Sequence, residues 1–224
     1  GADEGIGVAA RKAGAAQFDE QDTGEHGNGR DGASRPTKLL MMIMTLFETD
    51  EELAAMGIQQ TYLTAKRAET HWEAILGHLE GKGLSAITAA APEGEKSAGV
   101  MIIWRKSMLE INEATIITGT EGAQGRMIEA EYTLTEERSR ITLCCDYAYQ
   151  AGRSVAKCKS FWEKKEEQQA RLKVARRQNR SMGDYNANPP EIVEQLGRRA
   201  TCNETRYAML CRDMGLTRLG RLEP

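Results

Sequence analysis

The chain is 224 residues long, 40% hydrophobic and 28% charged, the composition of a soluble globular chain of one domain with room for a tail. Thirty basic and thirty-three acidic residues leave a formal net charge of -3, so no global positive field marks a nucleic-acid binder and any such footprint has to be local. The longest apolar run, Leu39 to Phe47 interrupted by Thr45, is about half of the roughly 20 residues a membrane helix needs, and no secretory signal is read.

Residues 1–37 carry eight glycines among many Asp, Glu, Gln and Ala. Such a segment cannot bury enough apolar surface to offset its ordering entropy, and a disordered tail is expected. Its Gly5-Ile6-Gly7 and Gly27-Asn28-Gly29 follow no strand and precede no Gly-Lys-Ser/Thr, so neither reads as a phosphate loop.

From Lys38 onward short apolar runs alternate with polar turns, the pattern of a sheet-based domain over 38–224. Leu39 to Leu46 reads as a strand buried on both faces. Thr64 is placed to cap a helix ending at Gly81, with Ala68, Trp72, Ile75, Leu76 and Leu79 on one stripe. Gly99 to Trp104 reads as a second buried strand. Ile128, Ala130, Tyr132 and Leu134 alternate with polar residues, and so do Ile141, Leu143, Cys145 and Tyr147 after the turn at Thr135-Glu136-Glu137-Arg138; this predicts a hairpin with one buried face. A helix is expected from Ser154 to about Ala175, anchored by Val155, Cys158, Phe161 and Trp162. A last one runs from an Asn203 cap to Gly215, burying Tyr207, Leu210, Cys211 and Met214. The sum is an α+β chain, a mixed sheet flanked by helices. The five cysteines (Cys144, Cys145, Cys158, Cys202, Cys211) are odd in number and form no Cys-x-x-Cys pair. They read as small core hydrophobes in a reducing intracellular compartment, nuclear or cytoplasmic.

The segment that carries chemistry is Met182-Gly183-Asp184-Tyr185-Asn186-Ala187. An apolar residue followed by Gly-Asp-Phe/Tyr-Asn resembles the signature of the endonuclease/exonuclease/phosphatase superfamily. Further segments match that family in order. Met44-Thr45-Leu46 resembles its opening strand, and Ile58-Gln59-Gln60-Thr61-Tyr62-Leu63-Thr64 its apolar-Gln-Glu-Thr-His-Leu-Thr stretch. Ala98 to Ile103 resembles its next core strand, Gly125-Arg126 its Gly-Arg, and Asp146-Tyr147-Ala148-Tyr149 its Val-Tyr-Ala-Pro. Phe161-Trp162-Glu163-Lys164 and Gly215-Leu216 through Pro224 complete the series. Retrotransposon endonucleases are the nearest in flavour.

The resemblance implies a DNase-I-like four-layer α/β/β/α sandwich, here partial and lacking its C-terminal third. It also implies magnesium-dependent hydrolysis of phosphodiesters in DNA or RNA. Such hydrolysis needs a hard cation on carboxylate oxygens, a group that activates water, and fixed donors on the phosphate. Carried over residue by residue, Asp184 would activate water, and Asn186 and Tyr147 would bind phosphate. The metal-binding Glu is replaced by Gln60, which keeps an oxygen but no charge. The Asn expected after Thr45-Leu46 is Phe47, and the late Ser-Asp-His has no counterpart, since the histidines are His26, His71 and His78. A degenerate, weakly active or inactive relative is therefore expected, or a non-catalytic nucleic-acid-binding or interaction fragment.

Two ambiguities stay open on sequence alone, and two departures from the family's pattern are expected. Tyr147 lies on an alternating apolar face and fits the core as well as a ligand contact. Arg171, Lys173, Arg176, Arg177 and Arg180 fit either a phosphate track or a solvated helix face. Only eleven residues separate Leu46 from Ile58, which leaves too little chain for the helix and return strand of the family. The run Arg176 to Ser181 is also too polar for a central strand, so an exposed or frayed one is expected there.

Overall fold

The computed structural model describes residues 38–95, 98–116, 123–150, 154–176, 178–188 and 190–214. The expected tail over 1–37, the match from Gly215 to Pro224, and Arg177 lie outside them. The elements in order are α1 (Lys38–Thr49), β1 (Ala55–Gln59), α2 (Ala65–Glu80), β2 (Leu84–Ala89), β3 (Val100–Arg105), β4 (Leu109–Ile116), β5 (Met127–Leu134), β6 (Arg140–Tyr147), α3 (Val155–Val174), β7 (Asn179–Asp184), α4 (Pro190–Gln195) and α5 (Cys202–Met214).

Two sheets form, one ordered β1-β3-β2 and antiparallel throughout, the other ordered β4-β5-β6-β7 with only the β6–β7 pair parallel. Strand β3 shows how they stack. Its Val100, Ile102 and Trp104 face the second sheet and join Ile128, Ala130, Tyr132, Leu143, Cys145 and Met182 in the central core. Its Met101 and Ile103 point the other way, against Leu40, Ile43 and Phe47 of α1 and Leu79 of α2. A third cluster on the far side of the second sheet joins Phe161 and Trp162 of α3, Leu210 of α5, Met127 and Tyr149. The result is helix, sheet, sheet, helix, with each fully buried Leu, Ile or Phe contributing about 1.5–3 kcal/mol.

The two sheets meet most closely at Gly57 on β1. A Cβ there would sit 2.8 Å from Met182 Cβ and 3.0 Å from Cys145 Sγ, so only glycine lets β1 lie this near β6 and β7. That approach carries the end of β1 over the end of β6.

The helix capped by Thr64 and closed at Gly81 forms as expected, as do β3, the β5–β6 hairpin and α3 with its Ser154 cap. Several expectations are corrected. Leu39 to Leu46 is helical, part of α1. Leu40, Ile43 and Phe47 fall on one face while Met41 and Met42 face outward, and Leu and Met are strong helix formers. The segment is thus the helix itself and β1 the return strand that follows it, so the short spacing before Ile58 removes neither. The hairpin is buried on both faces, because α3 covers the side bearing Glu129 and Glu131. Val155 does not anchor α3; it is 80% exposed in the first turn. Asn203 lies inside α5 and is buried, where its side chain accepts from Trp162 Nε1 at 2.9 Å and donates to Tyr149 O at 2.6 Å. Strands β2 and β4 were not anticipated, the latter because Glu110, Asn112 and Glu113 hide its pattern.

Strand β7 forms despite its polar sequence. It is the last strand of its sheet among the described residues, and only Met182 is buried. Arg180 points to water, so no charge has to be desolvated. No helix of the described residues is long and apolar enough to cross a membrane.

Candidate functional site

Parallel pairing puts Tyr147 of β6 directly beside Asp184 of β7. Both strands end there, and the Ala148 N–H donates to the Asp184 carbonyl at 2.9 Å to close the rim. Asp184 Oδ1 accepts from the Asn186 N–H at 2.9 Å, and Asn186 Nδ2 donates to Ala148 O at 2.6 Å. Asp184, Asn186 and Tyr147 are therefore brought together.

Gln60 arrives from the other sheet, one residue past β1. Its Nε2 donates to the Tyr147 hydroxyl, and its Oε1 accepts from the Tyr62 hydroxyl at 2.9 Å. Both ends of the amide are thus engaged within the protein. Gln60, Tyr62 and Asn186 all take positive φ, at 56°, 52° and 48°. Asn tolerates this conformation, whereas for Gln and Tyr it costs on the order of 1–3 kcal/mol each and persists only where surroundings over-determine it. Here Thr61 and Tyr62 donate backbone hydrogen bonds to Gly99 and Ala98, fixing the segment against β3.

The phenol of Tyr147 is held above its ordinary pKa, first by burial and also by the nearby Asp184 charge; the Gln60 amide and the Arg126 charge oppose this and are outweighed. Tyr147 is consequently a neutral hydroxyl that accepts from Gln60 and retains a proton to donate.

Arg126 builds the wall behind it. Only 1% exposed, its guanidinium lies 5.1 Å from the Tyr147 ring centre and 3.6 Å from that of Tyr149. It donates to Tyr147 O at 3.3 Å and to Glu95 Oε2 at 3.2 Å. Glu95 also takes Lys157 Nζ at 2.5 Å. Burial would raise the Glu95 pKa, but the Lys157 and Arg126 contacts prevail and hold it below the usual carboxylate range. The match at Gly125-Arg126 marked the position, but nothing in the sequence assigned the arginine a role.

A second polar cluster lies under the rim. Asp146 and Lys165, both 0% exposed, pair at 2.6 Å. Lys165 further donates to Gln168 Oε1 at 2.8 Å and Ser181 Oγ at 3.1 Å, and the Tyr185 hydroxyl donates to Asp146 Oδ2 at 2.9 Å. This ties β6, β7, α3 and the residue between Asp184 and Asn186 into one unit.

The basic run is elsewhere. Strands β6 and β7 run together from Thr142 and Asn179 to Tyr147 and Asp184, five residue steps that put the two rims about 17 Å apart. Arg171 grips Glu129 through both terminal nitrogens at 3.0 and 2.6 Å, and Lys173 Nζ donates to Asp213 O at 2.9 Å. Arg176 sits at the far rim and Arg180 on exposed β7. Its described members, Arg171, Lys173, Arg176 and Arg180, are not part of the Asp184 site.

The donor set does not fit a magnesium ion. Gln60 is neutral and its oxygen is already an acceptor, which leaves Asp184 as the one carboxylate among Gln60, Tyr147, Asp184 and Asn186. Among the described residues no three His, Cys, Asp or Glu gather as a metal centre. His71 and His78 lie on α2, which packs on the other sheet.

No protein-family model and no curated protein matches the chain. Solved structures do. An AP endonuclease, LMAP from Leishmania major, superposes with a TM-score of 0.57 at 15% identity, over 77% of this chain and 59% of that one. The human Nocturnin catalytic domain with bound sulfate anion gives 0.52 at 12%, over 70% and 59%. An endonuclease/exonuclease/phosphatase family protein from Bacteroides thetaiotaomicron gives 0.50 at 12%, over 74% and 57%. At such identities the likeness establishes the fold alone, and this chain spans less than three fifths of the length of each.

Proposed function

We propose, from the premise that the chain carries the endonuclease/exonuclease/phosphatase fold, that it is a degenerate relative of the magnesium-dependent nucleic-acid phosphodiesterases. In this reading it keeps the phosphate-facing side chains and has lost the hydrolytic activity. The observation that carries it is the state of Gln60. At the position where the resemblance puts a metal-binding Glu stands an amide with both ends engaged by Tyr147 and Tyr62. A neutral amide removes the largest attraction for a divalent cation, and with it the cation that would offset charge developing on a phosphodiester.

What remains favours contact with a phosphate over its cleavage. Tyr147 is a neutral donor, and Asn186 is fixed by its own turn beside Asp184.

The test is nicking of supercoiled plasmid with magnesium present, comparing the chain with Asp184→Ala. The expected result is the same trace background for both. Magnesium-requiring nicking that disappears in Asp184→Ala would restore the chain to the active enzymes.

A further inference from the structure

At the rim opposite Asp184 the second sheet holds a cavity of about 260 Å³, lined by Glu131, Ser139, Arg140, Thr142, Arg176 and Gln178. Its walls come from Glu131 of β5, the start of β6, and Arg176 and Gln178, with the Thr142 N–H donating to Gln178 O at 2.9 Å. Arg176 is carried there at φ 51°, a left-handed conformation that costs a non-glycine residue on the order of 1–3 kcal/mol.

Among the described residues Arg140 makes one ion pair, a long 3.4 Å approach to Glu131, and the exposed Arg176 guanidinium makes none. Thr142 forms the floor. It is 1% exposed, and its hydroxyl is buried with no hydrogen-bond partner. A buried hydroxyl left unsatisfied costs free energy that an occupant can recover. Among the described residues that line it, two are arginines and one is a glutamate, in a chain whose net charge is -3.

We infer that this cavity is a binding site for a phosphomonoester, separate from the Asp184 site and independent of whether that site hydrolyses anything. Planar guanidinium forks match phosphate oxygens in geometry as well as charge. Arg140 and Arg176 hold two edges of the phosphate, and the Thr142 hydroxyl and the Gln178 amide serve the remaining oxygens. A free nucleoside monophosphate and the 5′-phosphorylated end of a nucleic acid both offer that chemistry.

The experiment is calorimetric titration of the full chain with inorganic phosphate, with adenosine 5′-monophosphate, and with a short oligothymidylate with and without a 5′-phosphate. At least one phosphomonoester is expected to bind saturably. Arg176→Gln and Arg140→Gln should each weaken it by about 10-fold or more, and Thr142→Val by about 3- to 10-fold, while Asp184→Ala leaves it unchanged. Thermal midpoints of the two exposed arginine variants serve as the folding control. Binding of the mononucleotide alone, or of the phosphorylated oligonucleotide alone, identifies the source. Saturable binding by none of the phosphomonoesters overturns the inference. So does equal binding of the oligonucleotide without its 5′-phosphate, or binding unaffected by Arg176→Gln.

Discussion

Replacing Lys165 with Met is the most informative single perturbation of the scaffold. The Asp146–Lys165 pair is wholly buried at 2.6 Å, and Asp146 Oδ1 has no hydrogen-bond partner even in the intact protein. Removing the ammonium leaves a buried carboxylate supported by the Tyr185 hydroxyl alone. Breaking one side of such a pair costs about 3–5 kcal/mol, a large share of the roughly 5–15 kcal/mol that holds a domain together. With a urea m-value of about 2 kcal/mol/M, Lys165→Met should lower the unfolding midpoint by about 2 M. Removing both charges in Asp146→Leu/Lys165→Met should recover most of that loss, because no uncompensated charge remains. Equilibrium urea unfolding of the two variants reads both numbers. A midpoint shift under about 0.5 M for Lys165→Met, or a double variant as unstable as the single one, would refute the reasoning.

Gly57→Val forces a side chain into the gap closed by Met182 and Cys145. Overpacking of about 1–3 kcal/mol should lower the melting temperature by about 2–10 °C, and an unchanged melt would mean that the sheets are not in contact there. Glu95 has a folded pKa below its ordinary value of 4.5, so its ion pairs stabilise the protein fully above that pH and lose their effect as pH falls through the folded value. The stability difference between the parent chain and Glu95→Gln should therefore be constant near neutrality and shrink in acid; a difference that grows in acid would contradict the assignment. Burial pushes the Cys144 and Cys145 thiols up to about 12, whereas Cys202 is exposed. A maleimide should label Cys202 first and reach Cys144 and Cys145 only on unfolding, as peptide mapping would show.

Much of the candidate site was legible because Asp184 and Asn186 follow a compact motif, because Tyr147 ends a strand that alternation made visible, and because Gln60 falls in a segment resembling the family's residue by residue. The motif said nothing of how the two strand ends meet. That depends on Gly57, an unremarked glycine whose role lies in the distance between sheets. The helix α1 was misread because a continuous apolar run has no period of its own to separate helix from strand. Its leucines and methionines carried the answer that its hydrophobicity hid. The polar face of the β5–β6 hairpin looked solvent-facing, since alternation reports which residues are apolar and not what covers the others. Lys165, Gln168, Gln169 and Arg171 of α3 cover it. The polar run around Arg180 pointed to an exposed strand rather than a central one, and β7 is exposed, at the edge of its sheet among the described residues.

The central claim is that an engaged neutral amide at residue 60 leaves the Asp184 rim without a divalent-cation site. Electron paramagnetic resonance of free manganese, titrated against the full chain, measures this without reference to activity. The account predicts no saturable stoichiometric binding by the parent chain, and a gain in Gln60→Glu that is lost again in Gln60→Glu/Asp184→Ala. Stoichiometric manganese binding by the parent chain, abolished by Asp184→Ala, would contradict it.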